Sequence, residues 1–243
     1  MLKNLDSRSA FMGMLILLLL LALVAPVEAG SVNKSVKIED GARSSGESSV
    51  NGSITVGSGA IVDGSLETVN GAIRVGDDST VRDLDTVNGS IQVGSNATTG
   101  DINGVNGSIR LGKAVVVDGE ISVVNGKISV DEGSKVAQDV GNVNGEFEIL
   151  GSEIGGDLST VNGDVLVADG SVIKGDLRVE KPSGWGWKNQ RKPRVVIGPE
   201  STVEGKVHLE REVELYIHDS ASVGSVSGVM SMEDAVRFSG NRP

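Results

Sequence analysis

Two histidines, His208 and His218, and no cysteine are present in this chain. Thiolate chemistry is therefore excluded. Neither histidine stands at a spacing from a serine and an acid that marks a hydrolase triad, nor at the ordered spacing of zinc ligands. The adjacent acids Asp77-Asp78 and Asp131-Glu132 are the residue type a glycoside hydrolase needs in pairs. Both pairs lie among Gly and Ser, the composition of solvated turns. No Gly-Lys-Ser/Thr phosphate loop accompanies the glycines. The sequence points to no catalytic residue, no metal ligand and no cofactor.

Two other groupings could touch a partner. The segment 181–194 holds both tryptophans of the chain, Trp185 and Trp187, and five cations, Lys181, Lys188, Arg191, Lys192 and Arg194, without an acid. Paired Trp with Lys and Arg suits anionic lipid headgroups or stacking on a glycan. By contrast, residues 50–180 carry 20 acidic against 8 basic side chains, so the same loop could instead fold back on its own acidic flank. The second grouping is a series of amides: Asn51, Asn70, Asn88, Asn106, Asn125, Asn144 and Asn162, each in Val-Asn-Gly. Stacked at strand spacing, such amides form a structural ladder. The alternative is a row gripping a glycan or cation, but no carboxylate recurs at a fixed offset to support it.

Those amides are set by a repeat. Val-Asn-Gly begins at Val50, Val69, Val87, Val105, Val124, Val143 and Val161, with spacings of 18 or 19 residues. A degenerate copy, Val32-Asn33-Lys34, precedes them, and Val179-Glu180-Lys181 takes the next slot. Within the unit beginning at Val87, Ile91 and Val93 alternate with Ser90 and Gln92, the period-two pattern of a strand with one buried face. Equivalent pairs are Ile54/Val56, Ile73/Val75, Ile109/Leu111, Ile128/Val130, Phe147/Ile149 and Val165/Val167. A second apolar position follows (Val62, Val81, Val117, Val136, Ile154, Val172), and a third precedes the next tripeptide (Leu66, Leu84, Ile102, Ile121, Val140, Leu158, Leu177). Three short apolar segments per unit, none stable alone, predict the coils of an all-β, parallel β-solenoid of about ten coils. The inward steps after Val69 depart from a strict hexad, which favours the right-handed form over the left-handed hexapeptide helix. The Val is expected to point inward, with Asn and Gly turning a corner that needs φ > 0.

The divisions follow. Residues 1–29 read as a secretory signal peptide: Lys3 and Arg8, an apolar run Met12–Val24, Pro26, and small residues before cleavage after Ala29. The alternative is an uncleaved N-terminal membrane anchor. Residues 30–49 are expected to form a degenerate first coil and cap, 50–180 the regular solenoid, 181–194 a basic loop insertion, and 195–243 the terminal coils and C-terminal cap. In that last part Leu215 and Ile217 are expected to open a coil that Val223, Val226 and Val229 complete.

Composition narrows the function classes. A net charge of −11 and six aromatic residues argue against nucleic-acid binding, which uses clustered cations and stacking platforms. Absence of cysteine in an exported chain suits a fold stabilised by repetition. The succession Gly-x-Ile/Leu-x-Val, with Gly-Asp/Glu/Ser-Leu/Ile in each coil, resembles the bactofilin type of polymer-forming β-solenoid and adhesin-like envelope proteins over residues 32–229. That resemblance implies cap-poor ends that stack into filaments on a membrane. The secretory signal and the Trp-containing insertion depart from the bactofilin pattern. The expectation is a non-enzymatic scaffold or surface-interaction protein of the periplasm or cell surface. It would contact a glycan, lipid headgroup or protein through 181–194 and could self-associate. A glycan-binding or carbohydrate-active β-helix is the alternative.

Overall fold

Alternating side chains make each segment a strand, and a neighbouring coil supplies its partner. The computed structural model describes residues 33–182 and 191–243; the segment 1–29 and Trp185, Trp187 and Lys188 lie outside them. The described chain is an all-β solenoid of about ten turns in which every strand pair is parallel. One coil consists of Ile91–Val93, Thr98–Thr99 and Ile102–Asn106, one strand on each of three faces. The first face is an 11-stranded sheet running from Val36–Ile38 to Val236–Phe238. The other two faces join in an 18-stranded sheet.

Register holds like residues over like. Ile54, Ile73, Ile91, Ile109, Ile128, Phe147, Val165, Val195 and Leu215 form one column down the first face. Leu66, Leu84, Ile102, Ile121, Val140, Leu158, Leu177 and Val207 form another on the third. All are buried, and burying a side chain of this size contributes about 1.5–3 kcal/mol.

Several positions differ from the sequence reading. Each face buries two residues per coil, so the residue before Val-Asn-Gly points inward: Thr68, Thr86, Val123, Asn142 and Thr160 are 5% exposed or less. Side chains alternate along a strand, so the Val that follows is half-buried rather than inward. The inward column contains Thr and Asn as well as Val, which hid it from an apolar count. For the same reason Val179 aligns with Thr160, one place earlier than the slot assigned from spacing. Ile173, not Val172, fills the second-face column, and Val229 is 59% exposed rather than completing the last coil.

The glycine of the tripeptide has a different reason from the one expected. Among the seven, only Gly107 and Gly145 have φ in the positive range. What they share is close approach: a Cβ on Gly89 would collide with the carbonyl of Gly71, and one on Gly107 with that of Gly89. The left-handed column sits at another corner, at Gly59, Asp78, Asn96, Ala114 and Gly133.

The ends are unlike. Residues 33–49 form a coil in register with the second, Val36 on Ile54 and Glu47 on Leu66. Its inward positions include Glu47, which accepts from Ser44 Oγ at 3.1 Å. A polar residue is tolerated there because no described coil lies beyond it. At the other end Met230, Met232 and Ala235 pack on the core, around a short 3-10 turn, Met232–Asp234. No helix among the described residues is long and apolar enough to cross a membrane.

Candidate functional site

The corner between the third and first faces brings the asparagines together. Asn51 Nδ2 donates to Asn33 Oδ1 at 2.9 Å, Asn70 to Asn51 at 2.8 Å and Asn88 to Asn70 at 3.0 Å. Asn106, Asn125, Asn144 and Asn162 continue the series, each donating to the residue one coil earlier at 2.9–3.0 Å. Every amide points the same way, with N–H toward the first coil and C=O toward the last. The ladder ends on a cation: Arg211 donates to Asn162 Oδ1 at 2.7 Å. Burial holds the Arg211 guanidinium below its usual pKa. Sequence reading missed Arg211; its signal is that Lys181 and Arg211 stand two residues after the registered pair Val179 and Leu209, where earlier coils carry Asn.

The flanks of the basic loop are bound to the rod. Arg191 pairs with Asp164 at 2.8 Å and Lys192 with Glu212 at 2.6 Å, and these hydrogen-bonded carboxylates hold both cations above their usual pKa values. The Arg194 amide donates to Asp164 Oδ1 at 2.8 Å, and its guanidinium lies over the Tyr216 ring at 4.9 Å. Arg211 also donates to the Arg191 carbonyl at 3.1 Å. Three of the five loop cations thus fasten the loop's return strand to its own solenoid, and Lys181 donates its amide to Glu210.

Beside this strand, on the outer first face, lies a groove of about 700 Å3. Leu150, Leu166, Ala168 and Val196 contribute its apolar lining, Glu146, Glu148, Asp164 and Asp169 its acids, and Asn241–Pro243 border it. Lys127 lies 2.7 Å from Glu148 and 3.5 Å from Glu146, and Asp164 is taken by Arg191. Three of the four carboxylates are therefore ion-paired within the rod, Glu146 and Glu148 sharing the single charge of Lys127.

His208 Nδ1 lies 3.0 Å from Ser227 Oγ, and its Nε2 lies 3.9 Å from Glu210. This Ser-His-acid grouping arises from coil stacking and was invisible in sequence spacing. The second contact is too long for a hydrogen bond; His208 and Ser227 stand in register on neighbouring strands, and Glu210 follows the end of the first. His218 accepts from the Ser220 amide at 3.1 Å and meets Phe238 edge-on at 5.0 Å. The acids at Asp77-Asp78 and Asp131-Glu132 make cross-coil contacts: Ser95 N to Asp77 at 2.7 Å, Asn96 to Asp78 at 3.1 Å and Lys113 to Glu132 at 3.0 Å. Among the described residues no three His, Asp or Glu converge as metal ligands.

No family model, curated protein or solved structure matches this chain.

Proposed function

We propose that the chain is a non-enzymatic structural rod of the bacterial cell envelope, exported and acting as a scaffold or surface-interaction protein that self-associates through its ends. The carrying observation is the outward edge of the first described coil, which no other described strand covers, in a rod whose coils all pair in parallel. Val36 N–H donates to Ser53 O at 2.9 Å and Ile38 O accepts from Gly57 N–H at 2.8 Å. Lys37, between them, therefore turns its N–H and C=O away from the second coil. Such an edge is a template for another strand. Ser44 and Glu47 dull the apolar end of the core, so association rests on backbone pairing. Concentration-dependent light scattering tests it, with Lys37→Pro as the edge-blocking variant.

The basic loop is the proposed contact with a glycan, lipid headgroup or protein of the envelope. The loop is fixed at its base by Arg191, Lys192 and Arg194, which leaves Trp185, Trp187 and Lys188 as its contact residues. A second reading, a glycan-binding or carbohydrate-active β-helix, draws on the acids gathered around the first-face groove. Ion pairing of three of those acids with Lys127 and Arg191 favours the scaffold. Calorimetry with envelope oligosaccharides separates the two, since saturable heat lost in Asp169→Ala would favour the glycan reading.

A further inference from the structure

The rod's net charge is strongly negative, yet the first-face strands Ile54–Val56, Ile73–Val75, Ile91–Val93 and Ile109–Leu111 carry no acid. On the first face Thr55, Arg74, Gln92 and Arg110 lie in register down one outward column. Ala72, Ser90 and Ser108 precede the strands of this stripe, and Gly76, Gly94 and Gly112 follow them. The small neighbours leave both guanidinium groups standing above a flat sheet, and Arg74 and Arg110 are exposed. Neither makes a side-chain hydrogen bond or ion pair with a described residue.

The opposite charge is concentrated elsewhere on the same coils. At the corner between the second and third faces, Asp101 N–H donates to Asp83 Oδ1 at 3.0 Å and Glu120 N–H to Asp101 Oδ1 at 2.9 Å. The stack therefore spends one oxygen of Asp83 and Asp101 on backbone. Glu67 and Asp85 are in register just beyond this corner. These five acids have no ion pair among the described residues. Asp139 continues this corner without an ion pair among the described residues, and beyond it Arg178 takes Asp157 at 2.9 Å and also pairs with Asp176, so the uncompensated row runs from Asp83 to Asp139 and includes the coils that carry Arg74 and Arg110.

We propose that two copies of this chain pack side by side, the Arg74–Gln92–Arg110 stripe of one rod seated on the Asp83–Asp101–Glu120 ridge of the other. Charge and spacing both fit. Arg74 and Arg110 are two coils apart, and so are Asp83 and Glu120, about 9.6 Å in each case at the strand repeat. Because both rows follow the same coil pitch, the pairing stays in step along the contact. A ridge on a flat face of Gly, Ser and Ala also meets little steric obstruction. The contact joins two different surfaces, so each copy keeps one of each free and the association is open-ended. It is lateral and independent of the strand edge at Lys37.

The test is sedimentation velocity on the full chain and on two charge-reversal variants, Arg74→Glu/Arg110→Glu and Glu67→Lys/Glu120→Lys. Each alone is expected to lose self-association by roughly tenfold or more, since like charges then face each other. An equimolar mixture is expected to recover it, although both variants remain net acidic and would otherwise repel. Raising salt from about 0.01 M to 0.15 M, which shortens the Debye length from about 30 to 8 Å, is expected to weaken the parent association. Glu120 lies in the ridge and joins the stack only through its backbone, so Glu120→Lys alone serves if the double variant folds poorly. Undiminished association of either variant, or a mixture that fails to associate, overturns the proposal. Lys37→Pro is expected to leave the lateral contact intact, which separates its failure from failure of the end-to-end reading.

Discussion

Arg211 donates to Asn162 Oδ1 at 2.7 Å and so closes a one-directional ladder of eight amides that begins at Asn33. Aligned amide dipoles leave their negative end at Asn162, much as a helix leaves its own at the C-terminus. A guanidinium there satisfies the last carbonyl. Its second contact, to the Arg191 carbonyl, ties the ladder's end to the base of the basic loop. One side chain therefore both terminates the repeat and anchors the segment that interrupts it.

Rungs inside the ladder should matter more than the first. Removing Asn106 strands Asn88 Oδ1 and Asn125 Nδ2, whereas removing Asn33 strands only Asn51 Nδ2. Asn106→Ala is expected to lower unfolding free energy by about 1–2 kcal/mol and Asn33→Ala by less than half of that. Arg211→Ala is expected to cost about 1–3 kcal/mol and to speed amide exchange around residue 191. Urea denaturation and hydrogen exchange read these effects.

Two glycines separate close approach from backbone freedom. Gly59 has φ of 66° and open space around a would-be Cβ, so Gly59→Ala is expected to cost about 1–2 kcal/mol. At Gly89 the obstacle is the Gly71 carbonyl. Gly89→Ala is expected to cost more than about 3 kcal/mol or to prevent folding. Equal costs in thermal denaturation would contradict the steric account.

The repeat made the architecture readable, because Ile91/Val93 and Ile102 recur where each face needs them. It concealed the polar half of the interior. Thr86, Asn142 and Thr160 look like surface residues in sequence, yet Thr86 Oγ1 donates to the Gly71 carbonyl at 3.2 Å and Thr160 Oγ1 to Asn142 Oδ1 at 2.6 Å. The glycine's cause was also hidden, since steric contact with a residue 18 positions away has no local signature. The Arg211 cap, Ser227 beside His208, and the charge rows at Arg74 and Asp83 depend on register between coils. Once strand pairing is fixed these positions follow directly.

Asp85 gives the rod a pH dependence. Burial, with added repulsion from Glu67, Asp83 and Asp101, pushes its carboxyl up to about 6, against a hydrogen bond from Asn103 that favours the anion. A raised carboxyl pKa means the folded state binds the proton more tightly. The stability contribution is fully present below the unfolded pKa of 3.8 and is lost as pH rises through about 6. At this site the change is on the order of 2 kcal/mol. Melting temperature is expected to rise between pH 7.5 and pH 5, and Asp85→Asn to flatten that rise while stabilising the protein at pH 7.5. A wild-type profile retained in the variant would remove Asp85 as its source.

The tryptophans and the anchored cations of the 181–194 segment should be separable in effect. Trp185→Ala with Trp187→Ala is expected to reduce co-sedimentation with isolated envelope fractions severalfold without lowering the melting temperature. Arg191→Ala, which breaks a contact to Asp164, is expected to loosen the loop and lower stability by less than about 1 kcal/mol. Unchanged retention of the Trp variant would assign the loop a packing role alone.

The proposed end-to-end association runs through the outward strand edge of the first described coil. Static light scattering across a concentration series, parent chain against Lys37→Pro at 0.15 M salt where lateral charge contacts are screened, tests it most directly. The expected result is mass rising with concentration in the parent and remaining near 25.0 kDa, or the corresponding processed mass, in the variant. A parent chain that stays strictly monomeric at high concentration would contradict the account.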